Sequence, residues 1–495
     1  MSGGIFSTDT FGHTIDVQCK ITKGLPSIQI IGLASKALEE SKDRVRAAFH
    51  SSSLEFPKGR ILVNLSPADL PKEGSAYDLP IALSILQASG LLRPFKSNIL
   101  AVGELSLDGA ISPVHGIIGR LLAPALKDVS AAIIPKANYS QAKHASSQRL
   151  IPVTSLKELV DIISGVTTPT PMKDEIGIPP LVQDTSFSEV KVQLLAKRAL
   201  QIAAAGRHNV LLHGPPGTGK SMLAKALTSI LPDLNRVEQL ETTHLHSLRS
   251  HSDQTLMNRP PLRAPHHSSS TISILGGGQK ARPGEVSLAH NGVLFLDELL
   301  EFPRSCIEAL RQPLEDRVIN IARAEHSVIY PSSFLLIATM NPCPCGNLGS
   351  TKECTCSGYA IEQYQKKLSG PLIDRIDLFV KVDEVQVDSL LDEPETTSTT
   401  RIQRSVAKAH QLQSKRNKDG YNSGLSNQSI RRLGMDEDAR SLLDQAAERL
   451  KLSPRAYFRV LRVARTIADL EENETITKEA VAESLKFRQN LPNAR

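Results

Sequence analysis

The sequence predicts a multidomain α/β protein whose central domain is a parallel sheet flanked by helices. Three observations predict it. The 495 residues exceed what one ordinary domain holds, since domains cluster at roughly 100–200 residues. Short apolar runs alternate with helical patterns over most of the chain, as is typical of α/β folds. The C-terminal part keeps only helical periodicity, which indicates a separate helical region.

Each part of the chain has its own pattern. Residues 1–165 predict a mixed α/β domain, with apolar runs at 28–31, 61–65, 99–102 and 131–134 and a helical pattern at 36–49. Residues 166–185 are rich in Pro and Thr and indicate a linker. Residues 186–385 predict a parallel α/β core, with strands at 209–212, 293–296 and 334–338. Residues 386–495 predict a helical domain, because one helix face carries Val460, Val463, Ala464, Ile467 and Ala468.

The composition is that of a soluble globular protein. Hydrophobic residues make up 40% and charged residues 22% of the chain, and no apolar run approaches the roughly 18–20 residues that a membrane span needs. The N-terminus lacks a basic segment followed by an apolar one, so we expect no signal peptide, no membrane partner and a cytoplasmic location. The net charge of +6 is compatible with nucleic-acid binding without demonstrating it.

Residues 214–221 fit the pattern of a phosphate-binding loop, and they lie between an apolar strand and a helix, as that pattern requires. Glycines let backbone N–H groups turn toward phosphate oxygens, and the N-terminus of the following helix adds partial positive charge. We expect the lysine to reach the β- and γ-phosphates and the serine to ligate Mg²⁺. The sequence thus predicts binding and hydrolysis of ATP with Mg²⁺ by Gly214, Pro215, Pro216, Gly217, Thr218, Gly219, Lys220 and Ser221.

Two carboxylates end the apolar run 293–296, at the edge where parallel sheets bind ligands. Asp297 suits the Mg²⁺ shell, and Glu298 suits the polarising of the attacking water. A further strand ends just before Asn341, whose amide would lie between the water and the γ-phosphate. An apolar strand ending in acids is common by itself, but its position after a phosphate loop predicts an ATPase site.

These elements in this order resemble the AAA+ ATPases, and the motif Gly370-Pro-Leu-Ile-Asp-Arg-Ile-Asp377 sharpens the resemblance. In AAA+ rings an arginine after the third motif faces the γ-phosphate of the neighbouring subunit, and Arg375 matches that position. An arginine supplied in trans neutralises developing charge. Without a ring, Arg375 would be a surface ion-pair residue.

A basic pattern in the helical region, Ser453-Pro-Arg-Ala-Tyr-Phe-Arg459-Val-Leu-Arg462, resembles the second sensor of AAA+ lids. This resemblance implies that one arginine returns to the nucleotide. We assign that role to Arg455, with Arg459 and Arg462 as substitutes. The alternative is a solvated basic helix face.

Four of the six cysteines crowd into residues 343–356, inside the α/β core. Cys343, Cys345, Cys354 and Cys356 offer enough thiolates to close a tetrahedral structural zinc site. Their Cys-x-Cys spacing is tighter than the usual one. The sequence favours structural Zn²⁺, and reduced metal-free cysteines remain the alternative.

Several longer motifs resemble the magnesium-chelatase-like ATPases of the ComM/YifB type, and the resemblance covers nearly the whole chain. They are Ala264-Pro-His-His-Ser, Pro283-Gly-Glu-Val-Ser-Leu-Ala-His-Asn-Gly292, Asn341-Pro-Cys-Pro-Cys-Gly346 and Leu368-Ser-Gly-Pro-Leu-Ile-Asp-Arg-Ile-Asp377. The resemblance implies a homo-hexameric ring that acts on single-stranded or branched DNA as a branch-migration helicase in recombination and natural transformation. A chelatase-type motor that remodels a protein partner is the alternative.

The N-terminal domain resembles the Lon protease fold, which is of the ribosomal S5 domain 2 type, through the motifs at 71–80 and 102–113. A Ser-Lys protease needs a nucleophile and an amine base. The resemblance places Ala76 at the serine position and Ile118 at the lysine position, with Ser75 one residue away. We therefore predict a non-proteolytic relative of that fold, and an ATP-dependent protease is disfavoured.

Two segments are candidates for DNA contact. Between Asp253 and Glu285 the chain has no acidic residue but several basic ones among Ser and Gly, which suits a phosphate backbone bound without sequence preference. Residues 317–332 predict a hairpin with Arg323 near its tip, which is the second candidate. The candidate DNA contacts are Arg263, Lys280, Arg282 and Arg323, and a solvated basic surface is the alternative interpretation.

Overall fold

The computed structural model describes residues 3–32, 36–70, 72, 74–123, 126, 128–169, 187, 193–249, 256–278, 281–322, 327–384, 398–417 and 420–489. The chain forms two compact units: Met1–Pro179 with Arg236–Met257, and Pro180–Asn235 with Asn258–Arg495. Among the described residues, none of the helices has the length and apolar character needed to cross a membrane.

The first unit is mixed α/β. Its strands are β1 (Ile5–Thr8), β2 (Thr14–Thr22), β3 (Ser27–Ile31), β4 (Arg60–Ser66), β5 (Asn98–Ala101), β6 (Glu104–Leu105), β7 (Ile111–Ser112), β8 (Val129–Pro135) and β9 (Arg149–Val153). Its N-terminal helices are α1 (Lys36–Glu39), α2 (Ser41–Ser51), α3 (Asp78–Ala88), α4 (Ile117–Leu121), α5 (Tyr139–Ala145) and α6 (Leu156–Ile163), and Lys136–Asn138 is a 3₁₀ turn.

Seven strands of this unit form one sheet in the order β3-β4-β2-β1-β5-β8-β9. β2 is antiparallel to β1 and β4, whereas β5, β8 and β9 run parallel to one another. The strand β4 alternates buried and half-exposed residues, because successive side chains point to opposite faces. Almost every residue of α3 is buried, so this helix supplies much of the core beneath the sheet.

The chain beyond residue 193 adds the remaining elements. The strands are β10 (Val210–His213), β11 (Leu262–Arg263), β12 (Gly276–Gly277), β13 (Arg282–Pro283), β14 (Val293–Leu296), β15 (Val318–Ala322), β16 (Ser327–Pro331), β17 (Leu335–Met340) and β18 (Leu378–Lys381). The helices up to β18 are α7 (Leu194–Gly206), α8 (Lys220–Ala226), α9 (Arg236–Ser247), α10 (Thr271–Leu275), α11 (Glu285–Leu288), α12 (Arg304–Ala309), α13 (Arg311–Asp316), α14 (Gly358–Gln365) and α15 (Gly370–Ile373).

A helical region follows β18. It consists of α16 (Thr399–Arg416), α17 (Asn427–Arg431), α18 (Glu437–Arg449), α19 (Pro454–Leu470) and α20 (Lys478–Gln489). Ser398, Ser426 and Ser453 cap the N-termini of α16, α17 and α19, each accepting a backbone N–H, which satisfies a donor that a helix start otherwise leaves unpaired. The predicted apolar face of α19 is buried, including Val463, Ala464 and Ile467.

The core of the second unit is a five-stranded sheet in the order β11-β14-β17-β10-β18, and every neighbouring pair is parallel. The sheet is buried on both faces: one apolar cluster packs it against α7, α8 and the helical region, and another packs it against α12 and α15. This bears out the mixed α/β fold with a parallel sheet. Because the strands are parallel, the loops after β10, β14 and β17 meet at one edge.

Two predicted helices are shorter than expected. The pattern at 36–49 forms α1 and α2, with Glu40 between them, and the helix expected after the phosphate-binding loop forms α8 and a 3₁₀ turn, Leu227–Ile230. The helix α9 lies inside the range 186–385 that the sequence assigns to the core, but it packs with the first unit. There His244 Nδ1 accepts the backbone N–H of Gly119 at 3.2 Å, so α9 rests on α4.

Candidate nucleotide-binding site

The phosphate-binding loop follows β10 and leads into α8. Gly214 permits a close approach of the backbone, because a Cβ at this position would lie 2.1 Å from the carbonyl oxygen of Val382. Gly219 precedes α8 with a φ of 83°, a left-handed conformation that favours glycine. Thr218 Oγ1 donates to the carbonyl oxygen of Pro215 at 3.0 Å, which closes the loop on itself.

Lys220 lies inside the curve of this loop. Its Nζ donates to the carbonyl oxygens of Gly214 at 2.8 Å and Pro215 at 2.6 Å. Burial lowers the pKa of Lys220, while Asp297 and Glu298 act in the opposite direction. The ammonium group therefore faces the space that the loop surrounds.

Three oxygen-bearing side chains meet beside the loop. Ser221 Oγ donates to Asp297 Oδ2 at 2.8 Å, and Thr339 Oγ1 donates to Asp297 Oδ1 at 2.6 Å. Hydroxyl and carboxylate oxygens are the ligands that Mg²⁺ prefers. The donor set at Ser221 and Asp297 thus fits a magnesium ion, and Thr339 orients the carboxylate.

Glu298 sits at a strained backbone position. Its φ of 54° lies in the left-handed region, which is uncommon for a residue other than Gly and recurs at functional sites. Its backbone N–H donates to Thr339 Oγ1 at 2.9 Å, and its Oε2 lies 3.7 Å from His267 Nδ1. Asn341 directly follows β17, whose last residue pairs with the last residue of β10. The three predicted catalytic groups of this edge are thus brought together around the loop.

Arg375 lies at the opposite end of the strands, where β10 and β18 begin. It precedes β18, which starts beside Val210 at the N-terminal end of β10, and Asn209 Nδ2 donates to its carbonyl oxygen at 2.9 Å. The loop leaves the other end of β10, and four strand residues span about 13 Å at about 3.3 Å each. The structure therefore separates Arg375 from the phosphate loop of its own chain.

Arg455 lies on the same side as Arg375, with its Nη2 3.8 Å from Glu315 Oε1. This differs from the expectation that Arg455 returns to the nucleotide, since within one chain it does not approach the phosphate loop. The substitutes are engaged elsewhere. Arg459 Nη1 donates to Asp377 Oδ1 at 2.5 Å, and Arg462 Nε donates to the carbonyl oxygen of Leu425 at 2.8 Å.

Asp377 anchors the helical region to the sheet. It is 6% exposed, and its Oδ2 accepts the backbone N–H of Asn209 at 3.0 Å and lies 3.5 Å from His208 Nδ1. Burial by itself would raise the pKa of Asp377, but the charge of Arg459 and the contact with His208 outweigh burial and hold that pKa well below its usual range. The ion pair between Asp377 and Arg459 therefore joins α19 to the start of β18.

The four clustered cysteines converge on one point. Their sulfur atoms all lie within 4.8 Å of one another, with Sγ–Sγ distances of 3.4, 3.7 and 3.6 Å for three of the pairs. Sulfurs around a tetrahedral zinc ion at about 2.3 Å would be about 3.8 Å apart, so the cluster has the dimensions of a zinc site. The backbone N–H of Leu348 donates to Cys343 Sγ at 3.4 Å, the kind of outer contact that metal-bound thiolates receive.

This cysteine loop also meets the phosphate loop. Gly346 lies so close to Pro216 that a Cβ would approach its Cδ to 2.9 Å. The backbone N–H of Thr351 donates to Glu384 Oε2 at 3.0 Å, which fixes the other side of the loop.

The candidate DNA residues have different environments. Arg263 belongs to the edge strand β11 and donates through Nε to Glu285 Oε2 at 2.6 Å, so it is engaged by a carboxylate instead of being presented outward. Arg282 is exposed on β13. Lys280 and Arg323 lie outside the described residues.

Two hairpins carry this basic region. β12 pairs with β13, and β15 pairs with β16, so the predicted hairpin at 317–332 is present. Tyr330 Oη donates to the carbonyl oxygen of Ala281 at 2.8 Å, and Ile321 packs beside Gly276. The two hairpins are therefore held side by side. Ile329 of β16 is 62% exposed, and Ile272 of the adjacent helix α10 is 59% exposed.

The protease-like positions of the first unit are apolar or engaged. Ala76 and Ile118 are both buried, and Ser75 Oγ donates to Glu104 Oε2. Ile118 belongs to α4, the helix on which α9 rests.

Sequence reasoning misses three residues of the second unit. Thr339 contacts both Asp297 and Glu298, and its only signal is its place two residues before Asn341. His267 stands out in the sequence only as one member of a basic segment. Glu315 pairs with Arg375, and nothing in the sequence connects residues so far apart.

Comparison with known families defines the class of the protein. Residues 186–390 match the model for magnesium chelatase, subunit ChlI; residues 17–138 match that for subunit ChlI of Mg-chelatase; residues 396–488 match that for the ChlI C-terminal region. Together with the phosphate loop on a parallel sheet, these matches define a magnesium-chelatase-like AAA+ ATPase.

Full-length relatives narrow the class. The chain is 40% identical over 483 residues to the competence protein ComM of Haemophilus influenzae, covering 96% of this chain and 94% of that protein. It is 38% identical over 481 residues to the uncharacterized protein YifB of Escherichia coli, with the same coverage. The chain belongs to the ComM/YifB family of magnesium-chelatase-like proteins, which confirms the resemblance drawn from the sequence. A partial match, 22% identical over 142 residues, joins 27% of this chain to the Lon protease of Solibacter usitatus.

Proposed function

We propose that this protein is a ring-forming ATPase motor that acts on DNA, with branch migration as its activity. The family implies ATPase activity. The observation that carries the ring is the separation of groups within one chain: Asp297 and Glu298 lie beside the phosphate loop, whereas Arg375 lies about 13 Å away along the sheet. An arginine so placed serves a nucleotide bound by the next subunit of a closed, head-to-tail ring, for which we propose six copies.

The chemistry of each proposed site divides among named residues. Lys220 would exchange two carbonyl oxygens for phosphate oxygens, and Ser221 and Asp297 would hold Mg²⁺, which would offset the charge of the phosphates. Glu298 would accept the proton of the attacking water, while Asn341 orients that water. Arg375, at the opposite end of the strands, would meet the nucleotide of the neighbouring subunit.

Zinc has a structural role in this proposal. The four sulfurs fit a closed tetrahedral site, which has no open position for chemistry. Its effect would be to hold residues 343–356 against Pro216 of the phosphate loop. We also propose that the first unit is a non-proteolytic Lon-like domain, because Ala76 and Ile118 supply neither a nucleophile nor a base.

The DNA assignment draws on the paired hairpins and on the relative named a competence protein. The segment between Asp253 and Glu285, which has no acidic residue, would neutralise DNA phosphates by charge. Its binding to DNA should therefore weaken with salt and depend little on the DNA sequence. Arg282 and Lys280 are the residues to test, since Arg263 is engaged by Glu285.

Two measurements test this function. Branched or single-stranded DNA should raise the rate of ATP hydrolysis. Replacing Lys280 and Arg282 by Ala should reduce that stimulation and lower the log–log salt slope of DNA binding by up to about 0.7–0.9 for each phosphate that is no longer neutralised. Lys408→Ala is the matched control, because this lysine is 56% exposed and pairs with Glu472; it should change neither quantity.

A second candidate is a motor that remodels a protein partner, since the family models that match are named for magnesium chelatase. Wild-type protein that hydrolyses ATP but neither binds DNA at low salt nor responds to it would favour this candidate over the DNA motor.

A further inference from the structure

Glu315 engages the guanidinium that the proposed mechanism sends to a neighbouring subunit. Arg375 Nη2 donates to Glu315 Oε2, and Arg375 Nη1 donates to the carbonyl oxygen of Pro371 at 2.7 Å. The Arg375 side chain is only 13% exposed. Both terminal nitrogens of the guanidinium are therefore engaged within their own chain.

An arginine stabilises a transferring phosphoryl group only when its N–H groups point at the phosphate oxygens. The carboxylate of Glu315 competes for one of those groups. We propose that Glu315 is a positioning residue that holds Arg375 in a withdrawn position, from which the nucleotide of the neighbouring subunit draws it. This inference rests on the proposed role of Arg375 in trans.

Arg455 lowers the free-energy cost of releasing Arg375 from Glu315. Its Nη2 lies 3.8 Å from the other oxygen of Glu315, and its side chain is 65% exposed. When Arg375 leaves, Arg455 can move onto the same carboxylate. Glu315 then keeps a cationic partner in both positions of Arg375, and the carboxylate is never left unpaired.

The same carboxylate is linked to the hairpin of β15 and β16. Glu315 belongs to α13, whose end at Asp316 is followed by Arg317, with a φ of 58°. β15 starts one residue later, and the backbone N–H of Ser332 donates to the carbonyl oxygen of Arg317 at 2.8 Å. A force on this hairpin would thus act on Glu315 through the end of α13 and change the strength of the ion pair between Glu315 and Arg375.

The size of the effect follows from the exposure of the pair. Glu315 is 53% exposed, and partly exposed ion pairs contribute at most about 1 kcal/mol. Releasing Arg375 should therefore raise the fraction of competent arginines, and with it kcat, by roughly two- to fivefold. Binding of ATP in the subunit's own loop should not change, because Glu315 lies at the opposite edge of the sheet.

The experiment compares steady-state ATP hydrolysis by assembled full-length protein carrying Glu315→Gln, Glu315→Asp, Arg375→Ala, or Glu315→Gln with Arg375→Ala. Glu315→Gln should raise kcat without DNA, leave KM unchanged and reduce the further stimulation by DNA. Glu315→Asp, which keeps the charge, should fall between it and wild type. Glu308→Gln is the matched control, since Glu308 lies on the preceding helix α12, where it pairs with Arg311 of α13, and it should leave kcat unchanged.

The outcomes separate two failures. If kcat of Glu315→Gln equals or falls below that of wild type while Arg375→Ala is inactive, the withdrawn position is refuted and the trans arginine survives. If the double variant keeps the raised kcat of Glu315→Gln, the effect does not pass through Arg375 and the inference fails. If Arg375→Ala hydrolyses ATP as wild type does, the proposed function fails at its own step.

Discussion

Removal of Arg375 tests whether each nucleotide site requires two chains. The Arg375 backbone is bonded to Asn209 at one end of β10, and the phosphate loop leaves the other end, about 13 Å away. Arg375→Ala should therefore bind ATP as wild type does. Its turnover should fall by about 10³–10⁵-fold, the contribution of an arginine supplied in trans.

Mixing two inactive variants measures the same feature directly. Lys220→Ala keeps Arg375 but loses the loop lysine, and Arg375→Ala keeps the loop. In rings assembled from equal amounts, about one interface in four would join an intact loop to an intact arginine. ATPase activity should then recover to about a quarter of the wild-type value. The recovery should be greatest when the two variants are mixed in equal amounts.

The assay is ATP hydrolysis across mixing ratios, with ring assembly followed by sedimentation in the same samples. Glu298→Gln mixed with Lys220→Ala is the control, because both changes affect the same side of the interface and cannot restore each other. Mixed rings that assemble yet show no recovery at any ratio would mean that each site is complete within one chain, and would refute the reasoning from the sheet.

Three further predictions follow from the site. Lys220→Ala should weaken ATP binding, whereas Glu298→Gln should retain ATP and turn over at least roughly 100-fold more slowly; filter binding and phosphate release separate the two, and normal turnover in the second variant would exclude Glu298 as the base. Elemental analysis of protein purified without chelator should find about one zinc per chain. The variant carrying both Cys343→Ser and Cys354→Ser should contain no zinc and should bind ATP more weakly; wild-type protein that is metal-free and fully active would contradict the zinc site. Asp377→Asn should lower the free energy of unfolding of the helical region by about 3–5 kcal/mol at neutral pH. Because the folded-state pKa of Asp377 is depressed, the difference in this free energy between variant and wild type, measured by urea denaturation, should persist above about pH 4 and shrink as the pH falls further.

Much of the nucleotide site is predictable because its residues are adjacent to strand ends. In a parallel sheet the loops after β10, β14 and β17 meet at one edge, so a glycine loop, a pair of carboxylates and an asparagine that each follow an apolar run belong together. The cysteines are predictable for a different reason: two Cys-x-Cys pairs within residues 343–356 offer the four thiolates that one structural zinc ion takes. Local sequence therefore predicts both groups.

Other contacts could not be predicted from the sequence, because they join residues that only packing brings together. Thr339 reaches Asp297 across neighbouring strands, and the strained backbone of Glu298 appears only in the folded loop. Arg455 and its neighbours form one basic pattern in the sequence, yet packing of α19 gives them separate partners: Glu315 for Arg455 and Asp377 for Arg459.

The sequence by itself thus determined the family, the alternation that forms a parallel sheet, and the identity of the residues that surround a phosphate, since these depend on order and spacing along the chain. Only the tertiary structure decided at which end of the strands Lys220 and Arg375 lie. The direction of β10 and β18 puts Lys220 and Arg375 at opposite ends of the same sheet, because parallel strands share one direction and the two residues flank them on opposite sides.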